Sequence, residues 1–266
     1  MIAIDVGNSR VKFGVFLETL NLQEPQRLPE CRDVIAVPLS TALIPWEVIK
    51  ARFGQVLSQE IKPQVVLAAS VNSKGLDRIL EEWPDSDWPR PRIVANRDLP
   101  ITNLTIYPDR VGTDRLLKAV AANRLRPAGR PVIVVDSGTA TTVDWITEKG
   151  EFAGGAIFPG VELSSRALHL YTDQLPSIDV EDLQEPPQPV GRETRTALQS
   201  GLFWGHIGAV RELIQRMSAG HALPKPDVIV TGGGGQQLAL HLESATYRPA
   251  LTLEGLAVTQ GSFELS

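Results

Sequence analysis

Two stretches 131 residues apart carry one pattern, and this repeat constrains the fold more than any other feature of the chain. Ile2-Ala3-Ile4 is an apolar run leading into Asp5, Gly7-Asn8-Ser9 is a small polar turn, and Val11 to Phe16 alternates as an outgoing strand. The same order returns in IVVDSGTATTVDWI, Ile133 to Ile146, where a constant offset sets Asp136 on Asp5, Gly138 on Gly7, Thr139 on Asn8, Ala140 on Ser9 and Val143 on Lys12. An offset near half of a 266-residue chain predicts two related lobes, each opening with a strand–turn–strand unit. Two unrelated hairpins are the alternative, because D-x-G-N also makes an ordinary turn.

The first copy carries groups suited to phosphate. Gly7 lacks a Cβ, so a ligand can approach the backbone there. Asn8 and Ser9 add donors, Lys12 adds a point charge, and Asp5 can hold a magnesium ion or its water. A tight hairpin bearing these groups is a phosphate cradle, and two such cradles facing each other would grip a nucleotide in a cleft.

Composition narrows the partners. Hydrophobic residues make up 42% and charged residues 21%, a globular balance. Net charge is −5 with no long basic run, which argues against nucleic acid; the basic residues between Arg124 and Arg130 are equally explained by a solvated helix end. Cys31 stands alone, so neither an intrachain disulfide nor a cysteine-rich zinc site is available. His169, His206, His221 and His241 lack ligand spacing and read as surface or packed residues. With no secretory leader pattern and no membrane-length apolar run, the expectation is a cytoplasmic protein without a membrane partner.

Along the chain, strands and helices alternate, the signature of an α/β fold. A polar loop is expected over residues 20 to 32, a helix over Trp46 to Gln59 with Val48, Ile49, Phe53, Val56 and Leu57 inward, a strand over Gln64 to Val71, and a loop over Pro84 to Arg92. In YPDRVGTDRLLKAVAANRLR, Pro108 and Gly112 mark a turn, and Thr113 or Asp114 can cap the helix that follows. Asp114 is therefore either a cap or first-turn carboxylate, or a functional carboxylate at the helix start; Arg115 beside it can bind an anion. Pro226 to Leu242 reads as strand, glycine loop and helix, and Gly232 and Gly233 let a nucleotide lie on the backbone. The loop lacks the lysine of a P-loop and the spacing of G-x-G-x-x-G, and a tight turn is the simpler alternative.

Six stretches in order, IDVGNSRVKFGVF, VGTDRLLKAVAA, VDSGTATTVD, GGAIFPGVELSSRAL with Leu175-Pro176, TRTALQSG and the TGG at Thr231 to Gly233, resemble the type III pantothenate kinases. That family belongs to the superfamily of sugar kinases, acetate kinases, actin and the heat-shock chaperones. The resemblance implies two ribonuclease-H-like lobes, each a mixed sheet flanked by helices, over residues 1–125 and 126–266, with the nucleotide cleft between them. It implies ATP-dependent phosphorylation of pantothenate, Mg²⁺, a monovalent cation (K⁺ or NH₄⁺) and a homodimer.

Residue by residue, the resemblance implies that Asp5, Val6, Gly7, Asn8, Ser9, Arg10, Val11 and Lys12 bind the ATP phosphates, with Asp5 near the magnesium. Gly112, Thr113, Asp114 and Arg115 match the motif that holds pantothenate, with Asp114 as proton acceptor and Arg115 on the substrate carboxylate. Asp136 matches the monovalent-cation site, Thr139 an ATP contact, and Gly232 and Gly233 the adenosine loop. Thr194 matches the threonine that reaches pantothenate, from the partner subunit of the family's usual dimer. Tyr107 is the candidate for the family's substrate tyrosine, although that residue usually stands further ahead of the proline. Ser9 replaces a usual threonine, Thr113 a common alanine and Lys118 an expected asparagine. A sugar kinase of the same fold and a non-catalytic nucleotide-binding regulator are the rival readings.

Overall fold

The computed structural model describes residues 1–17, 26–57, 63–84, 88–219 and 224–263. Part of the loop expected over residues 20 to 32, the last residues of the helix expected to Gln59, part of the loop expected over Pro84 to Arg92, and His221 lie outside the described residues. The chain forms two compact units. One takes Met1–Pro127, Gly150–Phe152 and the segment from Ala250; the other takes Ala128–Lys149 and Ala153–Pro249.

The first unit is built on β1 (Ile2–Val6), β2 (Arg10–Phe16), β3 (Cys31–Pro38), α1 (Trp46–Leu57), β4 (Val66–Ser70), α2 (Ser73–Glu81), β5 (Arg92–Ile93) and α3 (Thr113–Leu125). Its sheet runs β3-β2-β1-β4-β5. β1 and β2 are antiparallel, while β4 is parallel to both β1 and β5. As the central strand β1 is covered on both faces, which is why all of Ile2-Ala3-Ile4-Val6 is apolar and buried. Ile2, Ile4, Val6, Phe13 and Val15 share a core with Ile49, Phe53, Trp83 and Trp88. Val48 is exposed, contrary to the inward face expected of it; a residue next to Ile49 on α1 is rotated away from the buried stripe.

The second unit contains β6 (Val132–Ser137), β7 (Ala140–Ile146), β8 (Phe152–Pro159), α4 (Val161–Leu170), α5 (Thr194–Ala219), β9 (Asp227–Thr231), α6 (Gly235–Leu240) and β10 (Ala245–Tyr247). Its sheet runs β10-β9-β6-β7-β8, with β6 antiparallel to β7 and parallel to β9. Read from its other edge, this is the strand order of the first sheet. The repeat thus extends from the two hairpins to whole mixed sheets flanked by helices, as expected for ribonuclease-H-like lobes.

The last element, α7 (Leu251–Phe263), packs in the first unit against α3, β1, β2 and β4. Leu251, Leu253, Leu256, Ala257 and Val258 are all buried, so the helix lacks the polar face of a surface helix. Each leucine removed from water contributes about 1.5–3 kcal/mol. The crossing with α3 is close: a Cβ on Gly255 would collide with the Leu117 carbonyl oxygen. No helix among the described residues is long and apolar enough to cross a membrane.

Candidate functional site

The β1–β2 turn is closed by Gly7, whose amide donates to the Arg10 carbonyl at 3.0 Å. Asn8, Ser9 and Arg10 stand exposed at the tip. Asp5 and Lys12 are directly opposed across the strand pair, so their half-buried side chains share one face of the sheet. Val6 and Val11 are buried, which leaves them only their backbone to offer a ligand.

β4 ends beside the same turn. Val6 pairs with Ser70, and the Val71 amide donates to the Val6 carbonyl at 3.1 Å. Carboxyl ends of adjacent parallel strands are where α/β sheets place ligands. Val71 also lies beside the Gly112–Arg115 turn, because a Cβ on Gly112 would stand 3.5 Å from Val71 Cγ1. The first unit therefore brings the β1–β2 hairpin and the Gly112–Arg115 turn to one end of its sheet.

Gly112 is the N-cap of α3 and supplies no side-chain cap, so neither Thr113 nor Asp114 caps the helix as expected. Thr113 Oγ1 donates instead to Asn96 Oδ1 at 2.7 Å, and Asn96 Nδ2 donates to the Val111 carbonyl at 2.7 Å, pinning the loop from another segment. Asp114 is a first-turn carboxylate, favourably placed at the positive end of the helix. Burial pushes its carboxyl up, but the Lys118 ammonium, the hydrogen bond from it and Arg115 outweigh burial and hold it below the ordinary value. Lys118 Nζ lies 2.8 Å from Asp114 Oδ2. The Arg115 guanidinium sits 5.4 Å over the Phe152 ring, a contact that orients the cation. Tyr107 is 62% exposed, with the Arg110 guanidinium over its ring.

In the second unit, Asp136 pairs with Thr142 and Ser137 with Thr141, and Gly138 donates to the Ala140 carbonyl. The first hairpin closes from Gly7 to Arg10, so the second turn is one residue shorter. The constant offset therefore misplaces the outgoing strand: Thr142, and not Val143, stands where Lys12 stands. Thr142 Oγ1 donates to Asp144 Oδ2 at 3.1 Å, and Thr139 is exposed at the tip.

The glycine loop meets this hairpin. Gly232 has φ +90°, and a Cβ there would collide with Asp136 Oδ1 and stand 2.5 Å from the Ser137 carbonyl oxygen. Gly234 N donates to that carbonyl at 3.0 Å, and Tyr247 Oη donates to the Gly232 carbonyl at 3.3 Å. Burial and then the Asp136 charge push the Tyr247 hydroxyl up. Gly233 faces open space, where a ligand can rest on the backbone. The helix after the loop, α6, has six residues and is shorter than the reading to Leu242.

His206 belongs to this neighbourhood, although its sequence position gave no sign of it. Its Nε2 lies 3.4 Å from both Ser137 Oγ and Thr141 Oγ1, and burial pushes its pKa down. Thr194 is exposed at the first turn of α5. Burial and the Glu254 charge push the Cys31 thiol up to about 12, which makes it a poor nucleophile. Among the described residues, no three or more His, Cys, Asp or Glu side chains are grouped to hold a metal. Asp5 alone fits magnesium only in the manner of a phosphate-bound ion that keeps most of its waters.

A family model described as type III pantothenate kinase matches residues 1–216. The type III pantothenate kinase of Agathobacter rectalis is 32% identical over 262 residues, covering 96% of this chain and 95% of that one. That of Citrifermentans bemidjiense is 30% identical over 268 residues, covering 97% of each. Among solved structures, a Campylobacter jejuni protein described as a Baf family transcriptional activator aligns over 100% of both chains with a TM-score of 0.62 and 20% identity. Component A of the (R)-2-hydroxyglutaryl-CoA dehydratase of Acidaminococcus fermentans aligns over 99% of this chain and 98% of that one, with a TM-score of 0.52 and 16% identity. At those identities the two structures speak to the fold alone.

Proposed function

The chain belongs to the type III pantothenate kinase family and phosphorylates pantothenate with ATP in the first step of coenzyme A biosynthesis; we propose that Asp114 is the proton acceptor and that Arg115 holds the substrate carboxylate. The acceptor hydroxyl oxygen forms a bond to the γ-phosphorus. The bond from that phosphorus to the β–γ bridging oxygen breaks, and its electron pair leaves with ADP. The hydroxyl proton passes to Asp114. A carboxylate about 3 Å from the hydroxyl orients it and takes its proton, typically contributing roughly 10²–10⁴-fold. The observation that carries this assignment is the half-buried, ionised Asp114 at the end of the sheet that also carries the phosphate hairpin.

The remaining roles follow the chemistry of each group. Asp5 and Lys12, opposed across the hairpin, would serve the phosphates, with Ser9, Asn8 and the Gly7 backbone at the tip. Magnesium, held beside Asp5, would supply neutralisation of phosphate charge. Asp136 would hold K⁺ or NH₄⁺, Thr139 would touch ATP, and Gly232 and Gly233 would carry the adenosine. Gly112 and Thr113 would frame pantothenate, with Tyr107 at the pocket edge. The enzyme would work in the cytoplasm as a homodimer, with Thr194 of one protomer reaching its partner's pantothenate. A groove of about 360 Å³ lies between α4 and α5, lined by Phe158, Val161, Leu168 and Leu202, of which Leu202 is on the same helix as Thr194.

The test uses pantothenol, which replaces the carboxylate of pantothenate with an alcohol. Wild type is expected to favour pantothenate in kcat/KM, and Arg115→Met to lose that preference. A preference that survives in Arg115→Met would remove Arg115 from carboxylate binding.

A further inference from the structure

The two oxygens of Asp114 have different surroundings. Oδ2 accepts from Lys118 Nζ at 2.8 Å. Oδ1 lies on the other side, toward Gly112, where a Cβ would stand 2.6 Å from it. The spacing of four residues on α3 sets the two side chains on one face of the helix. Their exposure differs sharply: the Lys118 side chain is 1% exposed and that of Asp114 is 30% exposed. Lysine is among the residues least often fully buried, and its ammonium is costly to remove from water unless a charge meets it. Here it is sunk beneath Asp114, with only the carboxylate reaching the surface.

We propose that Lys118 is a positioning residue for phosphoryl transfer: it clamps Oδ2 of Asp114 and presents Oδ1 to the acceptor hydroxyl. This rests on the reading of Asp114 as proton acceptor. The hydroxyl proton is taken by Oδ1, while Lys118 stays an ammonium throughout. Glycine at position 112 is part of the device, since any side chain there would press on the oxygen that must receive the proton. A carboxylate whose second oxygen is held by a buried cation cannot rotate freely, so the acceptor is preorganised before substrate arrives.

The charged groups bearing on Asp114 are Lys118 and Arg115, both from α3. Of the elements packed against α3, β4 carries no ionisable side chain and α7 carries Glu254. The turn at Asn96, bonded to Thr113, carries Arg97 and Asp98. The ammonium contact keeps Asp114 ionised to lower pH than an ordinary aspartate, as the direction of its shift also indicates.

The experiment is the pH dependence of kcat for wild type, Lys118→Met, Lys118→Arg and Asp114→Asn with saturating ATP and pantothenate. Lys118→Met is expected to lower kcat by roughly tenfold, part of what a positioned proton acceptor supplies, and to move the acid limb to higher pH. Lys118→Arg, which keeps the charge, is expected to leave the acid limb in place. If Asp114→Asn keeps wild-type kcat, the proton-acceptor reading fails and this proposal with it. If Asp114→Asn is crippled but Lys118→Met has an unmoved acid limb and near-wild-type kcat, the positioning role alone is overturned. Should Lys118→Met fail to fold, a ¹³C carboxyl titration of the wild type decides: Asp114 titrating below an ordinary aspartate supports the clamp, and an ordinary value overturns it.

Discussion

Asp114→Asn separates chemistry from folding at one atom pair. Asparagine has the shape of aspartate and keeps an oxygen that can accept from Lys118 at the 2.8 Å position now held by Oδ2. It cannot take a proton from an alcohol at neutral pH. Losing a general base typically costs roughly 10²–10⁴-fold in rate, which is about 2.7–5.4 kcal/mol of transition-state stabilisation. The loss is expected in kcat, measured by coupled ADP release at saturating substrate, with KM for pantothenate nearly unchanged. Folding should persist, and its pH dependence supplies a second readout. The Asp114 carboxyl lies below its ordinary value of 3.8 in the folded protein. Its stabilisation is therefore present above that value and lost as pH falls through the folded value. Urea midpoints of wild type should fall more steeply below about pH 4 than those of Asp114→Asn. A variant with wild-type kcat, or one whose acid stability curve coincides with wild type, would refute the role or the ion pair respectively.

Gly232→Ala places a Cβ on a residue with φ +90° against Asp136 Oδ1 and the Ser137 carbonyl. A left-handed conformation alone costs about 1–2 kcal/mol for a residue with a Cβ, so the thermal midpoint should drop; an unshifted midpoint would contradict the close approach of loop and hairpin. Asp136→Ala is expected to abolish activation by K⁺ in kcat while the far-ultraviolet spectrum is preserved, and an unchanged cation dependence would remove Asp136 from that role.

The hairpins were legible because their demands are local: an apolar central strand, an acidic residue at its end and a small turn leave a mark within a dozen residues. The repeat also announced the duplicated architecture, and the observed sheets share one strand order. Its fine register was not legible, because a constant offset cannot register the one-residue shortening that sets Thr142 opposite Asp136. The cap of α3 is decided by tertiary contacts rather than by local propensity. Thr113 and Asp114 are good cap residues, but the Asn96 contact and the Lys118 ion pair engage their side chains, leaving Gly112 at the cap. Asn96, Val71 and His206 reach their places only through tertiary pairing, and nothing in their own neighbourhoods marks them. α7 was equally silent, because a helix buried on all sides has no amphipathic stripe to read.

Product identity tests the central claim most directly. The purified protein is incubated with ATP, Mg²⁺ and pantothenate, with K⁺, with NH₄⁺ and with neither, and the mixture is resolved by mass spectrometry and ³¹P NMR. The expected result is 4′-phosphopantothenate formed in equal amount with ADP, dependent on pantothenate and suppressed in Asp114→Asn. ATP hydrolysis without phosphorylated pantothenate, or no turnover with either K⁺ or NH₄⁺ present, would contradict the assignment.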